Sequence, residues 1–182
     1  MKKLTQEQLN EMLNSGCKDF SKMNLSGLNL SGADLTGADL SRADLTGVDL
    51  YLANLTGANL TEANLTEADL YRANLTRADL RWADLSRADL YLANLTRANL
   101  RDANLTEADL YRANLTEADL SEANLTEANL TEANLTRANL TGADLTGAYL
   151  PGADLTKAVI NEKWKEYIEK CDLNTSKIKW IK

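Results

Sequence analysis

The 182-residue sequence contains no histidine, which removes the side chain most used for proton transfer and metal ligation near neutral pH. It has two cysteines, Cys17 and Cys171. They flank the central part of the chain at opposite ends and share no metal-ligand spacing, which speaks against an internal disulfide and against a thiolate metal site. Aromatic residues make up 5% of the chain although hydrophobic residues make up 44%. Nearly all of the apolar content is leucine and alanine, so any core must be narrow and repetitive. The segment from Met1 to Glu7 lacks the apolar region of a secretory signal, and no run approaches membrane-spanning length. A cytoplasmic protein without a membrane partner is expected. No serine-nucleophile motif or glycine-rich phosphate loop is present, so no catalytic residue, cofactor or metal is assigned and an enzyme is not expected.

Charge is uneven. The formal net charge is −7, yet residues 23–158 alone carry 20 acidic and 10 basic side chains, and both flanks are net positive. An acidic body of this kind disfavours direct binding to nucleic acid or anionic lipid and leaves basic partners open.

What is present is a five-residue period. Leucine stands at every fifth position from Leu25 to Leu155, 27 times in succession. Two residues before it stands alanine, at 25 of the 26 positions from Ala33 to Ala158, with Val48 the exception. Between them is Asp or Asn at 26 of 27 positions, Tyr149 being the departure. In a helix each leucine would advance 140° from the last and leave no apolar face. In a flat strand an odd period would send successive leucines to opposite faces. Both conflicts vanish if the chain turns a corner every five residues, so that each Leu and its Ala point to one axis, which is a stacked solenoid. Tyrosine follows leucine at Tyr51, Tyr71, Tyr91 and Tyr111, a spacing of 20 residues, which suggests four pentapeptides per coil.

The unit Ala-(Asp/Asn)-Leu-(Thr/Ser)-x resembles the pentapeptide repeat protein family over about three quarters of the chain. That resemblance implies an all-β solenoid, a right-handed quadrilateral β-helix, with the Leu and its preceding Ala inward and the other three positions outward. The expected fold has about seven coils, roughly 33 Å long at the usual strand spacing, with short α-helical caps at both ends. The segments are an N-terminal helical cap over residues 1–19, a β-helix over 20–158 and a C-terminal helix and tail over 159–182.

An open solenoid exposes unpaired strand edges at both mouths, and both flanks read as lids. Thr5 and Gln8 form a capping-box pattern with Leu4 and Leu9 placed as a staple. Leu9, Met12 and Leu13 make an apolar face, Gly16 suits a helix end, and Phe20 occupies the leucine register. At the other end Ile160, Trp164, Tyr167, Ile168 and Cys171 follow helical spacing, and Lys177–Lys182 alternates as a short strand containing Trp180. This end serves either as a cap or as a dimerisation element. Some members of the resembled family dimerise there, so a monomer and a C-terminal homodimer are both expected forms.

One side of the solenoid differs from the rest. It stacks Asp49, Asp69, Asp89 and Asp109 in one column, Tyr51, Tyr71, Tyr91 and Tyr111 in the next, and Leu52, Arg72, Leu92 and Arg112 in a third. Like charges one rung apart cost roughly 0.9 kcal/mol per pair in water before screening. Either this side binds a protein partner, or it is an aromatic ladder whose Asp column is neutralised by Arg72 and Arg112. Other columns alternate in sign, as Glu67, Arg87, Glu107 and Arg97, Glu117, Arg137 do. Asn54, Asn74, Asn94, Asn114 and Asn134 form an amide ladder expected to bond along the stack. The functional expectation is a non-catalytic, rigid binding or scaffold protein with an unidentified protein partner. The resemblance adds a DNA mimic that binds DNA gyrase, although duplex of this length carries roughly 20 phosphates and residues 23–158 net −10. An idealised engineered scaffold with no natural partner is a further alternative.

Overall fold

The pentapeptide encodes a short extended stretch followed by a corner. A computed structural model describes residues 3–171, 173 and 175–182; Met1 and Lys2 of the N-terminal segment and Asp172 and Asn174 of the C-terminal one lie outside the described residues. At each corner the alanine N–H donates to the carbonyl of the leucine three residues earlier, as Ala93 does to Leu90 at 2.9 Å. The third residue of that turn is left-handed, Leu92 with φ 57°, as in a type II turn. After every corner the backbone bridges in parallel to the residue 20 positions on, in the series Asn29, Asp49, Asp69, Asp89, Asp109, Asn129 and Tyr149. Twenty residues therefore make one coil of four sides. The rungs are closed by bonds such as Leu90 N–H to Asp109 O at 2.8 Å and Asp109 N–H to Ala88 O at 3.0 Å.

Extended strands in the usual sense are few, because turns leave only about two extended residues per side. Most of the sheet consists of isolated bridges, and among the described residues strands of two or three residues appear only near the C-terminal end. These are β1 (Asn139–Leu140), β2 (Val159–Asn161) and β3 (Lys179–Ile181), paired in parallel in that order. Every leucine of the five-residue period, from Leu25 to Leu155, is at most 3% exposed, and alanines from Ala38 onward line the same bore with Val48. Among the described residues no polar or charged side chain is buried and no pocket is present. No described helix is long and apolar enough to cross a membrane.

The Asp or Asn beside each leucine does local work. Its Oδ1 accepts the backbone N–H two residues on and, where that residue is Thr, usually its hydroxyl too; Asn94 takes Thr96 N–H at 3.1 Å and Thr96 Oγ1–H at 2.7 Å. Such Asx turns pull the chain into each corner, which explains why Thr or Ser so often follows leucine.

Helix α1 (Gln6–Asn14) opens with the expected Thr5–Gln8 capping box. It ends with Gly16 N–H on Leu13 O and Cys17 N–H on Met12 O, a Schellman arrangement in which Gly16 has φ 76°. Leu9 and Phe20 are fully buried against the first coil. At the far end a 3-10 turn (Glu162–Trp164) leads into α2 (Lys165–Lys170). Ile160 corrects the helical reading of its spacing. It lies in β2, pairs with Leu140 and Trp180, and simply continues the leucine register five residues beyond Leu155.

Candidate functional site

The corner geometry lines up side chains that are 20 residues apart. Tyr51, Tyr71, Tyr91 and Tyr111 form one continuous stack, with ring centroids 5.5, 5.0 and 5.2 Å apart and planes within 13° of parallel. Each ring is half-buried. Beside them the Oδ1 atoms of Asp49, Asp69, Asp89 and Asp109 accept the backbone N–H groups of those same tyrosines at 2.9–3.0 Å. The Asp column and the Tyr column are therefore tied together at every rung.

The ends of the carboxylate column are relieved by amides. Asn29 Nδ2 donates to Asp49 Oδ2 at 3.1 Å, and Asn129 Nδ2 donates to Asp109 Oδ1 at 2.9 Å. Asp69 and Asp89 in the middle pair with no cation among the described residues. Burial, with added repulsion from Asp69 and Asp109, raises the Asp89 carboxyl above its ordinary value.

The third column corrects the expectation that its arginines neutralise the carboxylates. Arg72 lies over the Tyr71 ring at 5.5 Å and Arg112 over the Tyr111 ring at 5.2 Å. Arg112 ion-pairs with Glu132 at 2.5 Å. The tyrosines intervene between the two columns along each coil, so these guanidinium groups turn to ring faces and to the next rung. Leu52 is 49% exposed and Leu92 half-buried. The same side continues into a residue that the sequence reading left out. Tyr149 occupies the Asp/Asn position directly after Asn129 in the ladder and is 62% exposed. Its signal was the single break in the Asp/Asn rule.

Elsewhere the columns are engaged with themselves. Arg87 lies between Glu67 and Glu107, at 3.8 and 3.1 Å, and Glu117 lies between Arg97 and Arg137, at 2.7 and 3.1 Å. Asn54, Asn74, Asn94, Asn114 and Asn134 do not bond to one another; each Oδ1 is taken by the residue two positions on. Amide bonds along the stack appear instead where Asn meets Asp, as in Asn139 to Asp119 at 3.0 Å and Asn104 to Asp84 at 3.1 Å, because a carboxylate is the stronger acceptor. Trp82 is 52% exposed beneath Arg81, 5.4 Å from its ring.

At the C-terminal end Trp164 Nε1–H donates to Ala143 O at 3.0 Å, and the Tyr167 hydroxyl donates to Ala148 O. In every lower coil such alanine carbonyls receive the next coil's N–H groups. Ile160 and Ile168 are fully buried, and Trp180 is half-buried in β3. Burial raises the thiol of Cys171, and both cysteines are unpaired.

Asp89→Asn is expected to stabilise the fold by about 1–2 kcal/mol at neutral pH and low salt, the Coulomb cost of two like-charged neighbours, one on each adjoining rung, reduced by what salt screens. Asparagine keeps the turn acceptor, as Asn94 shows. The raised folded-state pKa makes protonation of Asp89 favourable to folding. Its penalty is therefore present above that pKa and disappears below the unfolded carboxylate value near about 3.9. Denaturation of both proteins across this range should show the two stabilities converging as pH falls; an unchanged difference would remove electrostatics as its source.

Pentapeptide repeats match the sequence in eight copies, over residues 19–50, 53–90, 93–131 and 123–161. Among solved structures, a trypsin-treated form of QnrB1, a plasmid-mediated fluoroquinolone resistance protein, superposes with a TM-score of 0.73 at 19% identity, covering 79% of this chain and 74% of that one. The pentapeptide repeat protein Rfr23 from the cyanobacterium Cyanothece 51142 superposes with a TM-score of 0.57 at 36% identity, covering 58% of this chain and 86% of that one. These likenesses give the solenoid its hand, that of a right-handed β-helix. No curated protein matches the sequence.

Proposed function

The chain belongs to the pentapeptide repeat family, and we propose that it is a rigid, non-catalytic binding scaffold that engages a protein partner through its Tyr and Asp columns. The observation that carries this reading is the uninterrupted four-ring stack with Asp69 and Asp89 left without a cation beside it. Preorganised rings and carboxylates lose little freedom on docking, which favours affinity per contact. Leu52, Leu92, Arg72 and Arg112 border the face and extend it.

In this reading residues 20–158 form about seven coils, and residues 1–19 and 159–182 close the ends. The bonds from Trp164 and Tyr167 to alanine carbonyls support capping over dimerisation at the C-terminal end, so the working form is a monomer. Two unpaired cysteines support a reducing, cytoplasmic setting.

The test replaces Tyr51, Tyr71, Tyr91 and Tyr111 with Ser together, confirms by circular dichroism that the variant is folded, and compares both proteins in affinity capture from lysate. A captured protein lost with the variant, whose purified form binds only the native chain, is the expected result. Equal capture by both would make the tyrosine stack a purely structural ladder.

A further inference from the structure

The first coil has no coil beneath it. In every later rung the N–H and C=O of the Asp or Asn bond to the preceding coil, as Asp49 N–H does to Leu28 O at 3.0 Å and Asp49 O does from Leu30 N–H at 2.7 Å. In the first coil the corresponding groups of Asp19, Asn24, Asn29 and Asp34 would be a bare strand edge on all four sides.

Each of these carbonyls has a different substitute partner. Leu4 N–H donates to Asn24 O at 3.0 Å, Cys17 Sγ to Asp19 O at 3.3 Å, and Lys18 Nζ to Asp34 O at 2.9 Å. At Asn29 one side chain replaces a whole peptide unit. Gln6 Nε2 donates to Asn29 O at 2.8 Å, and Gln6 Oε1 accepts Asn29 N–H at 2.8 Å. This is the same donor and acceptor pair that a coil below would offer. The fully buried Leu9 anchors α1 in the position that allows it.

We propose that the Gln6 amide acts as a one-residue strand that seals the N-terminal edge against a second copy of this chain. The proposal rests on the reading of residues 1–19 as a cap. A free extended peptide could pair with one side only, because each side ends in a corner after five residues. A second copy related by a two-fold axis presents four matching sides at once. With the far end covered by α2 and β3, such pairing closes as a dimer and goes no further.

The test uses the full chain with Gln6→Leu, which keeps the bulk and removes both bonds, and Leu9→Asp, which places a charge in the core and lifts α1. Circular dichroism confirms the solenoid, hydrogen exchange follows the segment around Asn29, and sedimentation velocity at high micromolar concentration reads mass. The native protein should run as one chain with that segment protected. Gln6→Leu should speed its exchange about tenfold or more and give a concentration-dependent two-chain species, with Leu9→Asp shifted further towards it. Faster exchange with both variants still single chains overturns the seal against self-association while leaving the cap intact as a reading. Unchanged exchange in both variants overturns the cap itself and the proposal with it. Growth beyond two chains overturns the closed two-fold form.

Discussion

Leu90→Ala is expected to lower stability by about 4–5 kcal/mol, towards the upper end of the range for a buried leucine. Leu90 is fully buried, with Leu70 and Leu110 at equivalent positions in adjoining coils. The size of the loss depends on how far the surroundings can collapse into the space left behind. Here they cannot collapse far. Leu90 N–H is held by Asp109 O at 2.8 Å, and the flanking Asp89 is held by Ala68 O at 2.9 Å. The backbone on every side is fixed by rungs above and below, and the neighbouring alanines are too short to reach in. The void should therefore persist. Chemical denaturation followed by circular dichroism measures the loss. Leu90→Met, which keeps the volume, should cost less than about 1.5 kcal/mol. Leu155→Ala, in the last full coil, should cost less than Leu90→Ala because that end has fewer neighbours to hold a cavity open. Equal losses at Leu90 and Leu155 would contradict a core whose rigidity comes from the rungs.

Much of this follows from leucine and alanine alone, which is why the period made the solenoid legible. The bore takes one large and one small side chain per side, and neither a straight helix nor a flat strand satisfies a period of five. Coil length was legible for a different reason: Tyr51, Tyr71, Tyr91 and Tyr111 mark one side, and the bridges from Asp49 to Asp109 repeat that interval. What the period hid was the chemistry of the corner. Asp and Asn read as outward polar residues, yet their Oδ1 atoms are committed to the turn, so the asparagine ladder does not bond along its length. The partners of Arg72 and Arg112 were also hidden, because a column assignment fixes a side chain's origin and not the direction it takes. Gln6 carried no signal at all. A glutamine at the start of a helix is ordinary, and only the bare edge at Asn29 makes it informative. Ile160 misled for the opposite reason, since a three-residue strand followed by a helix can imitate one helical pattern.

The fifth position of the repeat holds the other large expected effect. Among the described residues twenty other than glycine are left-handed there, with φ between 55° and 61°, and eight of the nine glycines occupy the same position. None of the twenty is β-branched, which is the signal by which the turn could have been read. A left-handed residue with a Cβ costs roughly 1–2 kcal/mol, and a branched one is a true outlier. The rungs hold the conformation against that cost, as Arg77 N–H on Thr96 O at 3.0 Å illustrates. Arg77 is a clean site for the test because its side chain is exposed and enters no ion pair among the described residues. Arg77→Gly relieves the strain, but it loosens the unfolded chain by a similar amount, so its net change should be within about 1 kcal/mol. Arg77→Val should destabilise by about 2–3 kcal/mol, since the branch cannot avoid the turn carbonyl while the rung holds φ positive. Thermal denaturation of the two variants should therefore separate them by several degrees on either side of any common effect of losing the guanidinium. If valine proves no worse than glycine, the corner can relax out of the left-handed region. The rungs would then be looser than the cavity argument at Leu90 requires, so the two measurements test the same rigidity from inside and outside the wall.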